Sequence, residues 1–180
     1  MLNNPDEVGI IFAFCPNKMI GIISDTHENV FAVREAVGIM KQRNVDLVVH
    51  CGDIISPLML EEFQGLNMKF IFGNNEGERQ GIIQTAEKLG FEEITEVKEF
   101  EYKGMKFFVC HGKNKTLLQQ KIQSQQYDYI LTGHTHKTRD EKIGRTRIIN
   151  PGTLFMRHSP KTFCLLDVEK DVLEFVTLGQ

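Results

Sequence analysis

Five times along this chain an apolar run of strand length stops at a residue able to bind a metal ion. Gly-Ile-Ile-Ser leads to Asp25, Leu-Val-Val-His-Cys-Gly to Asp53, Phe-Ile-Phe-Gly to Asn74, Phe-Phe-Val-Cys to His111, and Tyr-Ile-Leu-Thr-Gly to His134. Placement matters here more than residue type. In open α/β sheets the loops beyond the carboxyl ends of the strands converge, so residues remote in sequence can share one crevice. The pattern therefore asks for a fold that gathers several strand ends in one place.

Hydropathy periods supply such a fold. Up to about residue 90, short β-prone runs alternate with helical patterns, as α/β units with a mainly parallel sheet require. Strands are expected over 20–24, 46–50 and 69–72. A helix capped by Asn29 runs to about Arg43 with Val30, Val33, Val37 and Met40 on one face. Ser56-Pro57 opens a second helix continuing through Gln64, and 82–89 forms a third. Beyond that the period changes: 92–102, 105–110, 129–132, 145–149, 163–168 and 172–177 read as strands, with one further helix near 116–124. Lys103-Gly104 and residues 169–171 read as hairpin turns. Helices early and strands late predict an α/β fold of two packed sheets with helices outside. Residues 1–18 stand apart as an N-terminal extension, and 19–180 form a single domain.

Composition narrows the function. A chain of 180 residues carrying 21 Lys+Arg against 24 Asp+Glu has a net charge of -3, which argues against holding nucleic acid or anionic lipid through bulk basic charge. The longest apolar run, residues 8–15, is far short of the ~20 residues that span a bilayer, and Asp6 and Glu7 occupy the place of a secretory signal's basic region. Cys15, Cys51, Cys110 and Cys164 form no CxxC pair and read as buried small hydrophobes in a reducing compartment. The cytoplasm is the expected location.

The chemistry lies in the strand-end residues. Asp25 with His27 and His134 with His136 are spaced i, i+2, and on an extended segment such pairs point the same way. Gly52, Gly73 and Gly133 directly precede ligand candidates, where a missing Cβ lets backbone come close. Mixed carboxylate, imidazole and amide ligands suit Mn, Fe, Ni, Co or Zn, and no Cys-rich structural zinc site is indicated.

Ser24-Asp25-Thr26-His27, His50-Cys51-Gly52-Asp53, Gly73-Asn74-Asn75-Glu76, Cys110-His111-Gly112 and Gly133-His134-Thr135-His136 resemble, in order, the motif set of the calcineurin-like metallophosphoesterases. Asn150-Pro151-Gly152-Thr153 resembles the Asn-Pro-Gly-Ser/Thr turn of the small phosphodiesterase branch, which includes the retromer scaffold subunit. The resemblance implies a four-layer fold, two packed mixed β-sheets flanked by helices, with a two-metal site at one end. It implies that Asp25, His27 and His136 hold one divalent ion, that Asn74, His111 and His134 hold the other, and that Asp53 bridges them. Mn is the first expectation for both ions, ahead of Ni, Fe, Co and Zn. Metals in such sites lie roughly 3.5 to 4 Å apart and share a water whose lowered pKa yields hydroxide for in-line attack. The implied activity is hydrolysis of a small phosphodiester. A binding scaffold on the same fold, as in the retromer relative, is the alternative from another class. Exposed strand edges would also allow a homo-oligomer.

One departure bears on mechanism. Many superfamily members place a His after the motif Asn, where it protonates the leaving group; this chain has Asn75, which cannot act as an acid. His50 is expected to support Asp53 through a hydrogen bond rather than to bind metal. Cys51 and Cys110 are expected to pack. Lys113 and Arg139 read as solvated charges, Glu76 as either an orienting group or an exposed carboxylate, and His158 as an exposed loop residue.

Overall fold

The computed structural model describes residues 19–179. The expected extension at 1–18, with Cys15, lies outside the described residues. Elements follow in chain order as β1 (Met19–Ile23), α1 (Val30–Gln42), β2 (Leu47–His50), α2 (Pro57–Glu61), β3 (Met68–Phe70), α3 (Arg79–Leu89), β4 (Val97–Tyr102), β5 (Met105–Cys110), α4 (Lys115–Ser124), β6 (Tyr129–Leu131), β7 (Thr138–Ile143), β8 (Thr146–Pro151), β9 (Thr162–Asp167) and β10 (Val172–Thr177). They form two five-stranded sheets, ordered β10-β9-β1-β2-β3 and β4-β5-β6-β8-β7. Each is mixed: β1, β2 and β3 run parallel, as do β5, β6 and β8, while the flanking strands pair antiparallel.

The period-2 pattern of the strands sorts their side chains into layers. Ile20 and Ile22 of β1, with Leu47 and Val49 of β2, face Phe107, Val109, Tyr129, Leu131 and Ile149 of the other sheet, and these apolar residues form the core between the sheets. Ile23 and Val48 point the other way, onto Val33, Val37 and Met40 of α1. A methyl group at Gly21 would stand 3.0 Å from Met40 Sδ, so this strand glycine lets the helix lie close. Phe108, Ile130 and Ile148 turn outward onto Ile122 of α4. Across β4, β5 and β6, the paired residues Phe100, Phe107 and Tyr129 stack ring on ring at 4.9 and 4.8 Å between centroids.

Several expected boundaries move. The strand expected over 92–102 starts only at Val97; before it, a single bridge joins Thr95 to Ile71. α2 ends at Glu61, because Phe63 to Leu66 turn back through i to i+3 hydrogen bonds and bury Phe63. β7 was not expected at all. Its sequence, TRDEKI, is almost wholly exposed, and backbone pairing with β8 makes it a strand at the sheet edge. Asn150 and Pro151, expected in a turn, are the last two residues of β8.

Candidate metal centre

The loops that carry the expected ligands are laced to each other before any metal is considered. Past the end of β1 and β2, Asp25 N donates to Gly52 O and His27 N to Asp53 O, both at 3.0 Å; past β5 and β6, Gly133 N donates to His111 O at 3.0 Å. Five of the seven expected ligands, Asp25, His27, Asp53, His134 and His136, hold a left-handed backbone with φ between 46° and 68°. For residues with a Cβ this conformation costs about 1 kcal/mol or more each, and it is characteristic of functional sites. The glycines explain how the loops come so close. A Cβ on Gly73 would collide with the Asp53 carboxylate, and one on Gly133 with Ser24 Oγ and Asp25 Oδ2.

The carboxylates and imidazoles fall into two overlapping groups. The ligand atoms of Asp25, His27 and His136 lie within 4.8 Å of one another, as do those of Asp25, Asp53 and His111. Asp53 reaches toward the first group as well as its own, with His27 Nε2 at 3.8 Å from its Oδ2 and, within the second group, His111 Nε2 at 3.4 Å from its Oδ1. His136 Nε2 is 3.0 Å from Asp25 Oδ1. His134 is exposed, its ring 5.1 Å from that of His111. The Asn74 side chain is exposed as well, while its backbone N–H donates to Asp53 Oδ1 at 2.8 Å.

Surrounding groups fix which atoms remain open. Asp25 Oδ2 accepts from Ser24 Oγ at 2.6 Å and from His134 N at 2.9 Å. His111 Nδ1 lies 2.8 Å from Cys51 O and can only donate to it, which leaves Nε2 with its lone pair toward the cluster. Asp25 Oδ1, His27 Nε2 and His111 Nε2 are buried with no hydrogen-bond partner. Buried polar atoms are normally satisfied, so three orphans converging on one spot fit a cation better than they fit a packed core. The donor set, carboxylate oxygens with neutral imidazole nitrogens, is that of a divalent ion.

Electrostatics agree for Asp53, His27 and His134, and run the other way for His111. Burial alone raises the Asp53 carboxyl, but the neighbouring His111, with bonds from Asn75 and the Asn74 backbone, outweighs it and holds the group below the ordinary carboxylate range. His27 and His134 are pushed down, first by burial and then by neighbouring histidines, and so favour the neutral form that ligates. For His111 burial pushes down while Asp53 pulls up, and the net is upward. Burial raises the Cys51 thiol and pushes Cys110 up to about 11; both behave as packing groups.

Several roles were only partly visible in the sequence. Glu76 is an orienting group: its Oε1 accepts from Asp53 N at 2.9 Å and from Gly73 N. His50 does not bond to Asp53. Its Nδ1 accepts from Gly52 N at 3.2 Å, which places the proton on Nε2, 3.0 Å from Thr26 Oγ1. Asn150 donates to Gly133 O at 2.7 Å and to Thr135 Oγ1 at 3.1 Å, bracketing His134, and Thr153 Oγ1 donates to Asp25 O at 2.9 Å. Arg139 is paired with Glu141. Phe155, unremarked in the sequence, packs 4.2 Å from the His27 ring, and His158 comes within 4.5 Å of the His136 ring.

Comparison with known proteins places this arrangement. The profile of the calcineurin-like phosphoesterase superfamily domain matches residues 19–171. The chain belongs to that superfamily. Within it, the chain is 37% identical over 158 residues to phosphodiesterase MJ0936 of Methanocaldococcus jannaschii, a match covering 84% of this chain and 93% of the relative. A solved archaeal phosphodiesterase superposes with a TM-score of 0.83 at 34% identity, over 89% of this chain and 99% of that one. Vps29 from Entamoeba histolytica, solved with Zn2+, shares the superfamily fold at a TM-score of 0.63 and 15% identity, over 89% of this chain and 98% of that one. The superfamily's two mixed sheets flanked by helices are those described above. Among the described residues no helix is long and apolar enough to cross a membrane.

Proposed function

We propose that this chain is a divalent-metal-dependent phosphodiesterase acting on a small phosphodiester. The observation that carries the reading is the convergence of Asp25 Oδ1, His27 Nε2 and His111 Nε2, buried and unpartnered, around Asp53. In this reading Asp25, His27 and His136 hold one ion, Asn74, His111 and His134 a second, and Asp53 touches both, with Mn the first candidate and Ni, Fe, Co or Zn as alternatives. Bound divalent ions would supply an activated water and neutralise charge on the phosphoryl oxygens. The identity to a named phosphodiesterase supports the choice of diester over monoester.

The chain's own residues prepare the site. Asn74 and Asn75 backbone N–H groups and the Asn75 amide, 2.6 Å from Asp53 Oδ2, lock the central carboxylate in place and keep it ionised. Ser24 and the His134 backbone hold Asp25 so that one oxygen faces the cluster. Asn75 donates to Asp53 and carries no transferable proton, so the reading favours esters whose leaving group departs readily as an anion. Among the described residues the three thiols, Cys51, Cys110 and Cys164, are buried and unpaired, which supports a reducing, cytoplasmic setting. We take residues 19–180 as one catalytic unit, with 1–18 appended to it.

The test is release of nitrophenolate from bis(p-nitrophenyl) phosphate by metal-stripped protein with Mn added back, alongside the matching monoester and a chelator control. Mn-dependent turnover favouring the diester is expected. Absence of turnover with every divalent metal, despite measured metal binding, would overturn the reading in favour of a scaffold. For that alternative the strongest support is Phe31 of α1, 84% exposed, lining one shallow surface pocket with Met156, 57% exposed.

A further inference from the structure

A cavity of about 430 Å3 opens beside the metal centre, its inner end formed by His111 and Gly73. This volume lies within the ~300–1,000 Å3 typical of small-molecule sites. It is also lined by Phe72, Val97 and Leu117, which come from the segment after β3, from β4 and from α4. The walls are mainly apolar, and of the polar groups among them Glu96 and Asn114 are already engaged. Glu96 is paired with Arg79, whose guanidinium lies 4.5 Å from the centre of the Phe72 ring. Asn114 uses its Oδ1 to cap α4, accepting from Leu117 N at 3.0 Å. Lys113, at the rim, has no ion-pair partner among the described residues.

We infer that this cavity holds one ester arm of the substrate, and that the arm is a planar, largely apolar aromatic ring system, with Lys113 facing the anionic phosphodiester. The inference rests on the phosphodiesterase reading and narrows its substrate class. Two features give it direction. The cavity shares His111 and Gly73 with the centre, so a phosphoryl group seated there has an arm's length of space on this side. Its walls offer dispersion and hydrophobic contact but few open hydrogen-bonding groups, so they select flat apolar shape over a sugar-like or strongly polar arm.

The experiment compares two non-hydrolysable monoanions, diphenylphosphinate and dimethylphosphinate, for binding to Mn-loaded protein by calorimetry and for inhibition of bis(p-nitrophenyl) phosphate turnover. Diphenylphosphinate is expected to bind at least ~10-fold more tightly, the scale on which pocket contacts discriminate. Leu117→Ala and Val97→Thr, both at partly exposed positions, should each weaken diphenylphosphinate about 3- to 10-fold and leave dimethylphosphinate within about 2-fold. Lys113→Ala should weaken both analogues alike. Equal affinities in the wild type, or a preference that survives both wall substitutions, would overturn the pocket assignment while turnover stands. No turnover and no binding of either analogue would overturn the phosphodiesterase reading itself, and the pocket with it.

Discussion

The two ends of the sandwich treat polar side chains in opposite ways. At the end away from the site, Tyr102 Oη donates to Asp46 at 2.9 Å and Tyr129 Oη to Asp171 at 2.8 Å. Arg147 joins Asp140 and Asp171 through Nε, Nη1 and Nη2. Each of these contacts ties the second sheet to the first or to its own edge, and the donors are used. At the other end, three buried atoms of expected ligands have no hydrogen-bond partner and five expected ligand residues hold left-handed backbone. One end uses its polar groups for cohesion; the other leaves them open, at a cost in folding free energy that, in the proposed reading, a bound ion offsets.

The comparison breaks most sharply at Asp53. Asp53→Asn should lower Mn affinity and turnover together, by ~10²-fold or more, since the amide keeps the shape but loses the central charge. Mn titration by calorimetry and the diester assay check it, and normal turnover would defeat the bridging assignment. Next is Asn150→Ala, which touches no expected ligand but frees the backbone on both sides of His134. Loss of such a supporting residue is expected to cost about 10- to 100-fold in metal affinity or activity. Arg147→Met tests the closed end: a loss of about 1–3 kcal/mol in urea unfolding of chelator-treated protein, with Mn affinity unchanged. A matching loss of Mn affinity would mean that the two ends are not independent.

The fourth test concerns pH. Burial holds His50 at a pKa of about 3, and protonating its Nδ1 would set one N–H against that of Gly52. The folded pKa lies below the unfolded value of ~6.5, so the neutral ring's contribution is fully present above pH 6.5 and is lost as pH falls toward 3. Its slope is ~1.4 kcal/mol per pH unit within that window. Urea midpoints of metal-free wild type and His50→Gln at pH 7 and pH 5 should converge at the lower pH; parallel curves would refute the assignment.

How much of this was legible follows from where the physics is local. Strands β1, β2, β5 and β9 are apolar runs with clear ends, and the helix capped by Asn29 announces both its start and its buried face. β7 was hidden because nothing in TRDEKI asks for burial: its backbone finds β8, and its charges keep an edge strand from pairing further. At the site, the strand-end Asp and His residues could be read in order. Their left-handed backbone could not, since the chain puts Asp and His where such a conformation would ordinarily call for Gly. The bonds of Asn150, Thr153 and Glu76 depend on loops distant in sequence meeting in space, and no local pattern records that.

The stacked rings of the second sheet also decide what light can report. The chain has no Trp and 3 Tyr, and Tyr102, Tyr127 and Tyr129 all belong to β4, β6 or the approach to β6. The first sheet contributes phenylalanine alone among its aromatic side chains, apart from histidine. Intrinsic tyrosine emission would therefore follow the second sheet and its phenol contacts to Asp46 and Asp171 beside β2 and β10, and its agreement with far-ultraviolet dichroism, which sees the whole backbone, would be a direct measure of whether the seam between the sheets opens together with the rest.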